Sequence, residues 1–165
     1  MPTTWYDANV INIQTASPNT RRFWVEIPDV EAFNFKPGQF VTMDLPIGDK
    51  RLQRWRSYSI ASAPADSNQL EFCIVRLDGG KATEYLFDDV QVGSTLRFKG
   101  PDGGFVLPET IDHDMVMVCT GTGVAPFRSM LQYIQQENIP HRKLHLIFGT
   151  RHAEGILYQE EFIEL

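Results

Sequence analysis

The chain has 165 residues, enough for one well-buried domain or for a domain of about 100 residues joined to part of another. Its apolar share of 42% excludes a disordered chain, and its net charge of −6 excludes a general nucleic-acid surface, which needs clustered cations. No apolar run reaches the ~18 residues of a membrane helix and no charged-then-apolar leader opens the chain, so a soluble, cytoplasmic protein without a membrane partner is expected.

Residues 1–110 read as an antiparallel barrel of about six short strands and one helix. Residues 10–13 alternate, and Ser17-Pro18-Asn19-Thr20 turns the chain. Residues 22–27 alternate again, with Phe23, Val25 and Ile27 on one face. Lys36-Pro37-Gly38 leads into a strand over 39–45, which Pro46-Ile47-Gly48-Asp49 ends. A strand at 58–62 comes next, then a loop at 63–68 and a strand over 70–77, closed by Asp78-Gly79-Gly80. Residues 82–90 carry apolar positions near helical spacing. A strand at 95–99 and a glycine-rich turn at 100–104 precede a last short strand at 105–108.

Residues 109–113 read as a linker, and 111–165 as the first part of a parallel α/β domain. The continuous apolar run 115–119 predicts a parallel strand buried on both faces. Thr120-Gly121-Thr122-Gly123 is a tight turn into a helix over 124–137, with Pro126 tolerated in its first turn. Residues 143–149 form a second apolar strand, and 158–165 begin another helix. The two cysteines, Cys73 and Cys119, lie inside apolar runs and read as reduced, buried hydrophobes. Neither belongs to a Cys-x-x-Cys pair, and His113, His141, His145 and His152 lack ligand spacing, so no metal site is expected.

Three stretches carry chemistry. The first is Arg54-Trp55-Arg56-Ser57-Tyr58-Ser59-Ile60-Ala61-Ser62, which combines cations, aromatic rings and hydroxyls. Strand alternation puts Arg56 and Tyr58 on one face and Ser57 and Ser59 on the other, so a twist or bulge is required to bring Ser59 to the same ligand. With Lys50 and Arg51, Arg54 and Arg56 place four cations in seven residues, a patch suited to an anionic ligand or partner. The second stretch, Gly79-Gly80-Lys81-Ala82-Thr83, opens the barrel's helix with flexible backbone, a cation and a hydroxyl. It also fits a plain turn with Thr83 as N-cap. The third is the glycine turn 120–123, where a helix N-terminus follows a buried strand. That is a geometry for binding phosphate, although Pro126 stands where the dinucleotide fingerprint has glycine. Two anion-suited helix starts and a basic aromatic strand point to two nucleotide ligands, one per domain.

Taken together these residues resemble the ferredoxin–NADP reductase superfamily. The matching elements are Pro37-Gly38-Gln39-Phe40, Arg56-Ser57-Tyr58-Ser59, Gly80-Lys81-Ala82-Thr83, the run Thr120-Gly121-Thr122-Gly123-Val124-Ala125-Pro126-Phe127, and Phe148-Gly149-Thr150-Arg151 with Leu157-Tyr158. The resemblance implies a Greek-key flavin domain followed by the start of a nucleotide-binding domain, and an oxidoreductase that passes hydride from NADPH or NADH to FAD (FMN in some members). Electrons would then pass to an acceptor such as ferredoxin. It implies that Arg56 pairs with flavin phosphate, Ser57 lies beside it, Tyr58 stacks on the isoalloxazine and Ser59 sits at its reactive edge. Gly80, Lys81, Ala82 and Thr83 would hold the pyrophosphate. Gly121, Thr122 and Gly123 would lie under the nicotinamide nucleotide, and Arg151, after the second strand, would either bind a 2′-phosphate and favour NADPH or be a surface cation. The family's late Cys-Gly motif and terminal aromatic have no counterpart before Leu165, so the nucleotide domain reads as incomplete. The alternative reading is a flavin-binding electron-transfer or docking module without independent turnover, its basic cluster 50–56 receiving an acidic partner.

Overall fold

In the computed structural model, which describes residues 4–165, alternation of apolar and polar side chains builds one six-stranded antiparallel sheet. The first three residues of the expected barrel span lie outside the described residues. The strands are β1 (Trp5–Ser17), β2 (Thr20–Glu26), β3 (Phe40–Asp44), β4 (Trp55–Ser59), β5 (Gln69–Val75) and β6 (Thr95–Asp102). Their order is β4-β3-β6-β1-β2-β5, so β3 crosses to pair with β6 instead of lying beside β2. The sheet curls until its two edges meet. Ile60 bridges to Phe72, and the Ala61 amide donates to the Glu71 carbonyl at 2.8 Å.

Phe23, Val25 and Ile27 all point inward and are fully buried, as their spacing requires. Phe98 lies at the centre, its ring centroid 5.9 Å from Phe33 and 6.2 Å from Phe72. Each such buried aromatic contributes roughly 1.5–3 kcal/mol by removal from water. Helix α2 (Lys81–Asp88) closes the barrel with Leu86 and Phe87. On the outside, Trp5 and Trp55 meet edge to face at 5.3 Å, with Lys99 and Arg51 over the Trp55 ring.

Several local features differ from the sequence reading, among them β4, which spans Trp55–Ser59 where the alternation predicts a strand at 58–62. Residues 105–108 form no strand. The β6 ladder runs further than expected, pairing Asp102 with Phe40, and the chain then leaves through Gly103 at φ +107°. The segment 105–108 begins with an exposed Phe105 and ends in Pro108, which has no N–H for a ladder. Residues 51–54, within the basic cluster, form one helical turn, α1 (Arg51–Arg54), ahead of β4.

The second unit is small. Strands β7 (Met115–Thr120) and β8 (Leu144–Gly149) are parallel, joined by a short 3₁₀ turn at Gly121–Val124 and helix α3 (Ala125–Gln136). Asn138 at φ +50° ends the helix, and α4 (Gln159–Glu164) comes after β8. The apolar run of β7 predicts burial on both faces, but only one face is covered. Val116, Val118 and Ile147 are 58%, 64% and 55% exposed, because no helix among the described residues packs on that side. The linker is partly ordered into the unit, since Ile111 is buried and bridges to His141. Ala61 and Cys73 of the barrel share one apolar cluster with Cys119, Val124, Ala125 and Leu157, which joins the two units. Among the described residues no helix is long and apolar enough to cross a membrane.

Candidate functional site

A groove of about 260 Å³ opens where β4, β5, the start of α2 and the glycine turn converge. Arg56, Ser57 and Tyr58 line it from β4, Gly80 to Thr83 from α2, and Thr122 from the second unit. The structure thus brings together residues from all three stretches singled out in the sequence. Ser59, Gly121, Gly123 and Arg151 are not part of this lining.

The β4 side chains differ in their commitments. Arg54 is held by a two-point contact to Asp44, both bonds at 2.8 Å. Arg56 donates only to main-chain carbonyls, of Trp55 at 2.7 Å and Leu52 at 3.2 Å, and forms no ion pair among the described residues. Burial pushes the Tyr58 phenol up to about 12, with the nearby Arg56 charge pulling the other way, so the ring stays neutral. The Ser57 hydroxyl is 3.1 Å from that of Thr42 on β3, which fixes it at the groove wall. Ser59 ends the strand opposite Phe40.

Gly80 is the N-cap of helix α2, and among the described residues no side chain caps that N-terminus. The first N–H groups of a helix have no intrahelical partner, and here they start at the groove. Glycine is required at position 80 by space. A Cβ there would come within 2.8 Å of Thr83 Oγ1 and 3.0 Å of the Leu77 carbonyl. The Thr83 hydroxyl is engaged locally. It accepts from the Leu77 amide at 3.0 Å and faces the Gly80 carbonyl at 3.0 Å, so it holds the turn in shape. Lys81 is exposed and forms no ion pair among the described residues.

In the second unit, Gly121 adopts φ +51°, the left-handed conformation that suits glycine, and its side is open. Thr120 pairs with Gly149, so the turn after β7 and the segment after β8 leave the same end of the parallel pair. Arg151 is exposed at that end, outside the groove.

Sequence reasoning missed part of the site. Cys73, Val75 and Leu77 also line the groove, on the outward face of β5 and its continuation. Burial pushes the Cys73 thiol up to about 11, so it stays protonated. Two residues before Cys73 on the same strand is Glu71, with a side chain only 4% exposed. It accepts from Arg22 at 2.6 Å, from Arg128 at 2.9 Å and from the Tyr158 hydroxyl at 2.8 Å. The available signals are a carboxylate inside an apolar strand and an arginine three and four residues after the apolar Ala125 and Val124. No group of three or more His, Cys, Asp or Glu side chains suited to a metal exists among the described residues.

Comparison with known proteins places this geometry. Residues 7–107 match the oxidoreductase FAD-binding domain model, and residues 117–165 match the oxidoreductase NAD-binding domain model. Ferredoxin–NADP reductase B of Sorangium cellulosum is 36% identical over 156 residues, covering 94% of this chain and 62% of that protein. The toluate 1,2-dioxygenase electron transfer component of Pseudomonas putida is 31% identical, covering 94% of this chain and 44% of that protein. The chain therefore spans less than two thirds of either relative's length. The structure of a ferredoxin NADP+ reductase from Neisseria gonorrhoeae with bound FAD and NADP superposes with a TM-score of 0.80 at 27% identity, covering 98% of this chain and 63% of that one. With more than half its length in the first of these domain models, the chain belongs to the family of oxidoreductase FAD-binding domains, continued into the first part of an oxidoreductase NAD-binding domain.

Proposed function

We propose that the chain is the flavin-binding part of an NAD(P)H-dependent oxidoreductase that hands electrons to a protein acceptor such as ferredoxin or an oxygenase. One observation carries this reading. Among the described residues, an arginine and a lysine without ion pairs and a helix N-terminus without a side-chain cap share a groove with an aromatic ring, and Thr122 of the second unit reaches the same groove. Those residues fit a flavin dinucleotide. Arg56, Lys81 and the N–H groups at the start of α2 would hold the two phosphates, since charge-assisted contacts to a fork and a helix N-terminus suit them. Bound there, FAD would supply the redox chemistry, accepting hydride from NADPH or NADH and releasing electrons singly. FMN fits less well, because it offers one phosphate to three separate donors.

The protein's own contribution is position and electrostatics. Tyr58 is assigned the isoalloxazine face, where its raised pKa keeps it an uncharged platform. Ser59 is assigned the polar edge, a role that requires the ligand to extend past Tyr58 along β4. Gly121, Thr122 and Gly123 are assigned to the nicotinamide nucleotide, and Arg151 to a 2′-phosphate, which makes NADPH the preferred donor. A cytoplasmic setting agrees with two free, buried cysteines. The relatives named above, a ferredoxin–NADP reductase and a dioxygenase electron transfer component, support an acceptor protein as the electron sink.

The test is reconstitution. Purified protein incubated with FAD is expected to turn yellow, with flavin fluorescence altered at one equivalent. A colourless protein that neither FAD nor FMN reconstitutes overturns the reading. In the same sample NADP+ is expected to perturb the flavin spectrum at lower concentration than NAD+, a preference that Arg151→Ala removes. Equal responses before and after that substitution sink the role of Arg151.

A further inference from the structure

Glu71, Arg128, Tyr158, Arg22 and Glu161 form one polar cluster across the seam between the two units. Arg22 and Glu71 come from the barrel strands β2 and β5, Arg128 from α3, and Tyr158 and Glu161 from the segment around α4. Arg128 is 5% exposed and uses two arms of its fork. Its Nη1 donates to Glu71 at 2.9 Å and to the Ala61 carbonyl at 2.8 Å, while Nε donates to both Glu161 oxygens at 2.8 and 3.0 Å. Gln132 adds a 2.8 Å bond to Glu161. The Tyr158 ring lies between two guanidinium groups, 4.7 Å from Arg22 and 4.3 Å from Arg128, and its hydroxyl donates to Glu71. Tyr158 holds φ +59°, a left-handed conformation that a tyrosine keeps only when its surroundings fix it.

The position of the cluster matters more than its stability. Arg128 lies one turn into α3, and α3 begins directly after the Gly121–Val124 turn. Glu71 lies two residues from Cys73, which lines the groove. A tie from Arg128 to Glu71 therefore fixes the glycine turn against the groove through one helical turn on one side and one strand repeat on the other. A mainly apolar seam would hold the units together but would let them slide. Directional contacts from a guanidinium to a carboxylate and a carbonyl set a single register.

We infer that Arg128 and Glu71, with Tyr158 packed between Arg22 and Arg128, are positioning residues that register the nucleotide-binding turn on the flavin groove. This rests on the function proposed above, because it is that function which needs two ligands brought edge to edge.

The test uses the whole chain and a reporter already in the seam, Cys73. Its labelling by N-ethylmaleimide is followed by mass spectrometry of the peptide, first without flavin, and FAD affinity is measured separately. Arg128→Leu is expected to raise Cys73 labelling about tenfold through local opening, while FAD affinity stays within about threefold. The NADP+-induced change in the flavin spectrum is expected to be lost with Arg128→Leu and partly restored with Arg128→Lys, which keeps the Glu71 contact. Unchanged Cys73 protection in a folded Arg128→Leu protein overturns the inference. So does a loss of FAD affinity in step with melting temperature, which would mark a general structural role. If Arg128→Leu does not fold, Tyr158→Phe decides, with an expected rise in labelling of about threefold and an unchanged rate as the contrary result. A chain that gains Cys73 labelling but never takes up FAD sinks the proposed function and leaves the tie intact, so the two failures are separable.

Discussion

Arg56 and Arg128 lie in the groove and the seam, and their surroundings are opposite. Arg128 has four hydrogen bonds, to two carboxylates and a carbonyl, with almost no exposure. Arg56 has two, both to main-chain carbonyls of its own neighbourhood. The seam pairs the charges it buries and so fixes geometry. Among the described residues the groove leaves a guanidinium charge, a lysine and a helix start without ion-pair or capping partners. A folded chain tolerates that arrangement only where water or a ligand completes it. The difference distinguishes a joint from a binding site without reference to sequence motifs.

Removing the centre of the seam has the largest expected effect. Glu71→Ala takes the carboxylate from Arg22 and one of two carboxylates from Arg128, and is expected to cost about 3–5 kcal/mol in urea unfolding. A loss below about 1 kcal/mol would mean that the cluster is decorative. Alkaline pH probes both regions at once. Cys73 has an ordinary value of 9.0 and sits near 11 when folded. Its raised pKa means that the folded state keeps its proton where the unfolded chain has lost it. The stabilising contribution is complete below pH 9 and falls away as pH rises toward 11, by roughly 2–3 kcal/mol. Tyr58 extends the decline from pH 10 toward 12. Cys73→Ala is expected to flatten the lower part of this decline in melting curves taken across that range. Arg56→Ala is expected to weaken FAD binding by about 10- to 100-fold with little change in stability, as befits a charge with no protein partner. Arg54→Ala supplies the smallest effect. It breaks a partly exposed pair with Asp44 and is expected to cost about 0.2–1 kcal/mol, with FAD affinity unchanged. Equal FAD losses for the two substitutions would erase the distinction between them.

Much of the architecture was legible because it rests on short-range patterns. Alternation in 22–27 placed Phe23, Val25 and Ile27 inside, and Gly79-Gly80 and Gly121-Thr122-Gly123 marked the helix starts that frame the groove. The features that escaped depend on partners distant in sequence. Glu71 looks like a polar interruption of a strand until Arg128 and Tyr158, 57 and 87 residues later, come against it. The short strand expected at 105–108 is missing because the adjacent ladder positions are already taken by β6. The apolar run of β7 indicates a buried strand, but periodicity alone does not say which face the rest of the chain covers. Ser57 reaches the groove wall beside Arg56 and Tyr58 although strict alternation assigns it to the opposite face.

The tryptophans lead to one optical consequence. Trp5, Trp24 and Trp55 all belong to barrel strands, two of them stacked edge to face beneath Lys99 and Arg51. The α/β unit contains no indole. Tryptophan emission therefore arises in the barrel, with Trp24 sensing the seam through the Arg22 guanidinium that also covers Tyr158, whereas the helical far-ultraviolet signal comes mostly from α3 and α4 of the other unit. A molecule whose seam opens before its barrel melts will show these two signals parting with temperature. A molecule whose seam holds will show them moving together.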